Sequence, residues 1–311
     1  IGTPFSFLND GKVFKMALSP SLVGVTLYFK FLAFNTANTL TQTLAQATPY
    51  SFTPTGTVGW PICTVGGGSP TISLVNSGNF PVGFNWIGSA TISLSITLGW
   101  TPTPGNTLVV MVSLWGQKEP ATHFYPTFGI ATLVDGYGNP FLNISPATQN
   151  DTYLYPGPLY SQINSQAWWE ENCSNSKTLT VTVNGLTNTD VSGNNGVILT
   201  VYEITPPCIV DVAGASTYSI PSSSTAPFNG PSIAATGVQD FYATGIVSQN
   251  TGITVGSPWS GALLGSGNLA GGGVAGAAYV ISSGTLHATF TPTSIGAVLP
   301  AAMSGVSFKL P

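Results

Sequence analysis

From Ala90 to Leu98 the chain alternates strictly: Ala90, Ile92, Leu94, Ile96 and Leu98 are apolar, while Thr91, Ser93, Ser95 and Thr97 carry hydroxyls. A period of two puts the apolar set on one face of a β-strand and the hydroxyl set on the other. Burying each large apolar side chain contributes roughly 1.5–3 kcal/mol, so this strand needs a second layer to cover it. Thr101-Pro-Thr-Pro-Gly-Asn106 then halts it, because two prolines and a Gly-Asn pair favour a turn. Leu108 to Leu114 is apolar at almost every position, the pattern of a strand covered on both faces. The pair is expected to open a large antiparallel β-sandwich as a hairpin. Neither strand carries a reactive group.

How such a fold meets water depends on composition. Charged residues make up 5% of the 311, with six lysines, no arginine and a net charge of −4, against roughly 25% charged in ordinary soluble domains. The polar surface must come from Ser, Thr, Asn, Gln and Gly. Nucleic acid is not an expected partner, because phosphate binding needs concentrated Lys and Arg; anionic lipid is disfavoured on the same ground. A surface with few titrating groups tolerates acid and salt, which suggests an extracellular location, on a cell or a virion. It is also poorly protected against self-association, a property that suits an assembly subunit. The most apolar stretch, Met16 to Phe34, is broken by Pro20, Gly24 and Lys30, so no transmembrane segment is expected. A chain that opens on Ile1 reads as mature or trimmed.

Residues 1–84 read as a small N-terminal β unit and 85–311 as the large sandwich, jelly-roll or Ig-like. In the first unit, Ile1 to Leu8 reads as a strand closed by Asn9-Asp-Gly11, and Val23 to Phe34 as a second strand, with a helix the alternative that its Leu and Ala allow. Asn35 to Ala47 reads as a loop or one short helix, and Thr71 to Phe84 as two strands about an Asn76-Ser-Gly-Asn79 turn. Further strands are expected at 128–134, 164–170, 178–184, 197–204, 209–219, 231–236, 240–247, 275–283, 285–291 and 301–309. Between them lie the turn Asp135 to Pro140, a Tyr/Pro-rich excursion at 143–162 and a Gly-rich loop from Gly261 to Gly276. No exact internal repeat is visible.

The order PTPGNTLVVMVSLWG, ATLVDGYGNPF, AWWEENCSNSKTLTVTVNG, GVILTVYEI and AGAAYVISSGTLHATFTPTS, closed by MSGVSFKLP, resembles a β-sandwich domain of secreted bacterial proteins and phage structural proteins. The resemblance covers about 84–311 and departs at the 143–162 insertion. It implies a surface or virion module with no catalytic set to carry over. Residues 71–84 separately resemble the strand-turn-strand of archaeal and bacterial extracellular filament subunits.

Candidate chemistry is sparse. Glu170 and Glu171 follow Trp168 and Trp169, a pairing that invites a glycosidase reading. Adjacent strand residues face opposite sides, however, so the two acids cannot jointly flank one bond. Asp135 could ligate calcium, but one carboxylate is too few, and a plain turn is the simpler reading. His123 and His287 have no partners at metal or triad spacing. No catalytic residue, metal ligand or cofactor is therefore expected. The aromatics of 152–169 either pack or stack on sugar rings. Sequons at Asn143, Asn150 and Asn172 are possible glycosylation sites on an outward loop.

Three cysteines are present, Cys63, Cys173 and Cys208. If 164–170, 178–184 and 197–204 form a meander, Cys173 and Cys208 follow two strand ends at the same edge. A bridge there would close a loop of about 35 residues, worth on the order of 3–4 kcal/mol. The alternative is three reduced, buried thiols.

The expected function is a non-enzymatic structural subunit of an extracellular assembly, a surface filament or surface layer. The alternatives are a virion exterior protein, such as a capsid decoration or tail fibre, and a carbohydrate-binding adhesin for cell-surface glycans. Partners would be copies of the same chain. Ile1, Phe5, Phe7 and Leu8 are the candidate contacts, added as a strand to a neighbour's sheet.

Overall fold

The computed structural model describes short pieces of backbone at 8–9, 14–15, 27–29, 32–34, 40–43 and 50–52. It also describes residues 71–84, 91–118, 129–144, 151–154, 160–184, 195–220, 225–248, 252–261, 263–264, 274–293 and 299–311. The fold is all-β, with no helix among the described residues. The chain divides into units 1–69 and 70–311. The division falls at 69 rather than at 84, because Ser73 to Phe84 is a full strand of the larger unit.

In the first unit, β1 (Leu8–Asn9) pairs with β2 (Phe14–Lys15), β3 (Leu27–Phe29) with β6 (Tyr50–Phe52), and β4 (Leu32–Phe34) with β5 (Leu40–Thr43). The stretch 23–34, expected as one strand, thus carries two, and 35–47 carries a strand where a loop or helix was expected.

The larger unit begins with β7 (Ser73–Phe84), β8 (Thr91–Thr97), β9 (Thr107–Lys118), β10 (Gly129–Asp135), β11 (Leu142–Asn143), β12 (Asp151–Leu154), β13 (Tyr160–Glu170), β14 (Thr178–Asn184) and β15 (Asn195–Thr205). They form an outer sheet, β10-β14-β8, and an inner sheet, β11-β13-β9-β15-β7, with β12 also on β13. The chain continues through β16 (Ile209–Ile220), β17 (Phe228–Asn229), β18 (Ile233–Ala234), β19 (Asp240–Ser248), β20 (Ile253–Val255), β21 (Leu263–Leu264), β22 (Val274–Ser282), β23 (Thr285–Leu286), β24 (Thr289–Pro292) and β25 (Leu299–Lys309). These give a second inner sheet, β16-β25-β19-β22-β21, and a second outer layer of β17-β24-β20 with the ribbon β18-β23.

Three apolar seams join the four layers. Ile96, Leu98, Leu133, Leu179 and Val181 of the first outer layer meet Leu108, Val110, Val112, Leu114, Val197 and Leu199. Val109, Met111, Ala167, Tyr202 and Ile204 meet Phe241, Ala243, Ala277, Val306 and Phe308 across the middle. Tyr242, Ile246, Ala278 and Met303 meet Phe228, Ile253 and Phe290 on the far side. The unbroken apolar run of β9 now has its cause: its even and odd residues line different seams. In β8 the expected alternation holds, with Ile96 buried and Ser93, Ser95 and Thr97 exposed.

Three local expectations are corrected. The hairpin does not form, because β8 and β9 lie in different sheets and the 101–106 turn arches between layers. The meander does not form, because β14 belongs to the outer sheet and β9 lies between β13 and β15. Asn76 to Asn79 is not a turn: β7 runs through it, paired with β15 from end to end. Gly78 serves close approach there, since a Cβ on it would lie 3.0 Å from the Phe80 ring and 3.1 Å from Trp100.

The two halves of the unit repeat one topology. The inner order β13-β9-β15-β7 recurs as β22-β19-β25-β16, and the outer order β10-β14-β8 recurs as β20-β24-β17. In each half the first strand carries a bulge at its third residue, Val75 in β7 and Asp211 in β16, against the last strand of that half. Counted from those bulges, Met111 and Gly245 occupy equivalent places. A Cβ on Gly245 would lie 3.3 Å from Met111 Cε. A position that meets its own counterpart marks an isologous, two-fold-like packing, here within one chain.

Candidate functional site

Four buried or half-buried carboxylate sites lie at strand ends, and hydrogen-bond supply decides the state of each. Glu203, fully buried in β15, accepts from Asn76 Nδ2 at 2.8 Å, Thr103 N at 2.8 Å and Asn106 Nδ2 at 2.7 Å. Burial pushes its pKa up, but the donors outweigh burial and hold it below the usual carboxylate range. The carboxylate pins the 101–106 arch and β7 to β15.

Asp135 closes the turn after β10. It accepts from Tyr137 N at 2.8 Å, Asn139 N at 2.8 Å, Asn139 Nδ2 at 2.9 Å and Ser174 Oγ at 2.6 Å. Burial raises its pKa, and these four donors bring it below the ordinary value. Its oxygens are consumed by the turn itself, which is the plain reading of DGYGN rather than a calcium loop.

Asp211, at the β16 bulge, accepts from Thr236 N, from Thr236 Oγ1 at 2.7 Å and from Lys309 Nζ at 2.7 Å. Its side chain is 3% exposed. Desolvation is overcome by the Lys309 and Thr236 donors, which hold it at about 2. Beside it Asp240 is fully buried, and neither of its oxygens meets a donor at full hydrogen-bond geometry.

Glu170 ends β13 and Glu171 opens the following turn, so the two acids do not converge. Glu170 Oε2 is buried without a donor, and burial, with the Asp135 charge, pushes the carboxyl up to about 7. Trp168 is buried in the first seam, its Nε1 donating to Gln166 Oε1 at 2.9 Å. Trp169 packs on Phe308 with ring centroids 5.9 Å apart. Both indoles are engaged in packing.

Cys173 and Cys208 are free, buried thiols in different seams, so the structure does not form the bridge that the meander would have allowed. Burial pushes both thiols up to about 12, Cys173 with the charges of Glu170 and Glu203, Cys208 with that of Asp240. They are inert packing groups. Asn143 and Asn172 are exposed, and Asn172 takes a left-handed φ of 56° in the turn after β13. His287 is exposed. Cys63, His123, Asn150, Ile1, Phe5 and Phe7 lie outside the described residues. Leu8 pairs with Lys15 of its own chain.

The outer face of β8 and β14 is a ladder of hydroxyls. Ser93 pairs with Thr182, Ser95 with Thr180 and Thr97 with Thr178. Two of these pairs are joined by hydrogen bonds, Ser93 Oγ to Thr182 Oγ1 at 3.1 Å and Ser95 Oγ to Thr180 Oγ1 at 3.4 Å. Glu203, Asp211 and Asp240 escaped the sequence reading. Their signal was present: each is a lone acid inside a β-branched or aromatic run, VYEIT, IVDVA and QDFYA.

No known family model matches the chain, and no curated protein matches it.

Proposed function

We propose that this protein is a non-enzymatic structural subunit of an extracellular assembly, packed against copies of itself. The observation that carries the reading is where polarity resides. The described outer sheet presents a hydroxyl ladder, while Asp135, Glu203, Asp211 and Asp240 are drawn into the fold. A face of hydroxyls hydrogen-bonds to a neighbouring copy without charge repulsion and without desolvating ions, in acid as at neutrality. The same absence of charge would leave a free monomer prone to associate.

Between the two settings of such a subunit, filament and virion shell, the strand order favours the shell. Each half switches sheets at nearly every strand, whereas Ig domains keep successive strands such as A and B in one sheet. We read the alternation as supporting a jelly roll over an Ig-like sandwich, and jelly rolls recur in viral capsids and lectins. Glycan binding through Trp168 and Trp169 is the poorer reading, since both rings are occupied by packing.

The test is light scattering of the purified chain across concentration and salt, with imaging of what forms. Ordered particles that persist at high salt support the reading, since hydroxyl and apolar contacts are little screened. A monodisperse monomer at every concentration would overturn it. So would glycan or ester turnover abolished by Glu170→Gln.

A further inference from the structure

Asp240 is the one fully buried acid among the described residues neither of whose oxygens meets a donor at full hydrogen-bond geometry. The Gly237 N–H beside it favours the ionised form but is outweighed by burial and the Asp211 charge. It opens β19 opposite Ser282 of β22, which brings no charge. The charged and titratable groups around it are Asp211 from β16, Lys309 from β25, Cys208 just before β16 and Tyr242 on its own strand. Lys309 does not serve it. Its Nζ is committed to Asp211 Oδ1 at 2.7 Å and Thr236 Oγ1 at 2.8 Å. Asp211 and Asp240 stand within hydrogen-bond reach of each other, and with Lys309 already placed on Asp211 a proton is the group that can join them among the described residues.

The same cluster holds a turn. Thr236 gives both its N–H and its hydroxyl to Asp211, and Gly237 lies against Asp240 so closely that a Cβ would fall 1.8 Å from Oδ1. Gln239 Oε1 accepts from Ile72 N at 3.0 Å, just before β7. At the apex Val238 is 98% exposed. The turn thus hangs between the two acids and fastens the second half of the unit to the entry of the first.

We propose that Asp240 and Asp211 share one proton, and that this proton is a pH-operated latch on the Thr236–Gln239 turn. Below the transition the Asp240 carboxyl donates to Asp211. Above it the proton passes to solvent, two buried carboxylates face each other, and the turn opens. Burial and the Asp211 charge raise Asp240 to about 6 from the ordinary 3.8. A raised carboxyl stabilises the closed form fully below its unfolded value, and that stabilisation is lost as the pH rises through the folded one.

Amide hydrogen exchange of the full chain at several pH values, corrected for intrinsic rates, tests this. Protection at Thr236 and Gly237 should fall by about a hundredfold between about pH 4 and pH 6 and level off above, the factor set by a gap of roughly two units. Glu170→Gln should show the same fall, which separates this latch from the other raised acid. Asp240→Asn should stay protected throughout, because its amide can donate to Asp211 at any pH. A flat wild-type profile, or an Asp240→Asn profile that follows wild type, would overturn the proposal. Calcium that restores protection at high pH in wild type but not in Asp240→Asn would also overturn it, by making the pair a cation site. Should Asp240→Asn not fold, the carboxyl 13C titration of wild-type Asp240 decides: a midpoint near 6 supports the shared proton, and one near 3.8 contradicts it.

Discussion

At the scale of single residues the chain separates its buried acids by the donors it gives them. Glu203 has three and stays ionised; Glu170 Oε2 and both Asp240 oxygens meet none at full hydrogen-bond geometry. Glu203→Gln turns an amide NH2 toward groups that are themselves donors, so it should cost about 1–3 kcal/mol in urea unfolding at neutral pH. The depressed Glu203 pKa means that its contribution is present above the ordinary carboxylate range and is lost as the pH falls. The penalty of Glu203→Gln should therefore shrink in acid. Glu170 acts with the opposite sign: stability is lost as the pH rises through about 7. Thermal melts across pH should accordingly peak on the acid side of neutrality, and Glu170→Gln should flatten the alkaline limb. An optimum above pH 8 would contradict this pairing of signs. Composition alone suggested little pH dependence, because it counts acids without saying which are buried without donors.

At the scale of elements, the strands with an unambiguous period were legible. The alternation of β8, the two-sided burial of β9 and the bounds of β14 follow from side-chain chemistry, as does the Asp135 turn. What failed was partnership. A Pro/Gly turn forbids continuation but does not say whether the next strand returns beside the first or crosses to another layer, and 101–106 crosses. Likewise Asn76-Ser-Gly-Asn79 has turn chemistry, yet Asn79 Oδ1 accepts from Thr200 Oγ1 at 2.6 Å and Asn76 binds Glu203, so tertiary bonds hold it extended. The sidedness of β8 is open to direct test. Ile96→Ala should cost about 2–5 kcal/mol and Ser95→Ala should stay within about 0.5 kcal/mol. Equal effects would mean that the face assignment is wrong. Gly261 offers a second test, because its φ is +140° and a Cβ would lie 2.6 Å from Ala277 O. Gly261→Ala should be destabilising by more than about 1 kcal/mol, measured as a shifted urea midpoint.

At the scale of the whole larger unit, the repeat of strand order was invisible in the sequence. The two halves share strand order and bulge position, not residues: Met111 answers to Gly245, and Val75 to Asp211. Apolar positions need only volume and side, so identities can diverge while the topology persists. The middle seam buries Phe241, Phe308, Tyr202 and Ile204, and Ser165 and Ser304 hydrogen-bond across it at 2.8 Å. The four layers should therefore unfold together. Exchange of central amides in β9, β15, β19 and β25 should converge on one slowest rate, and two distinct limiting rates would mean that the halves open independently.

The charge-poor exterior, the hydroxyl ladder and the doubled sandwich meet in one claim, that this chain is a building block. An electron micrograph of the native particle, carried to a map that resolves strands, tests it most directly. The expected result is an ordered shell or filament in which the four-layered unit repeats by symmetry, with subunits meeting on uncharged faces. Finding the chain as an isolated, diffusely distributed monomer in its native setting would contradict it.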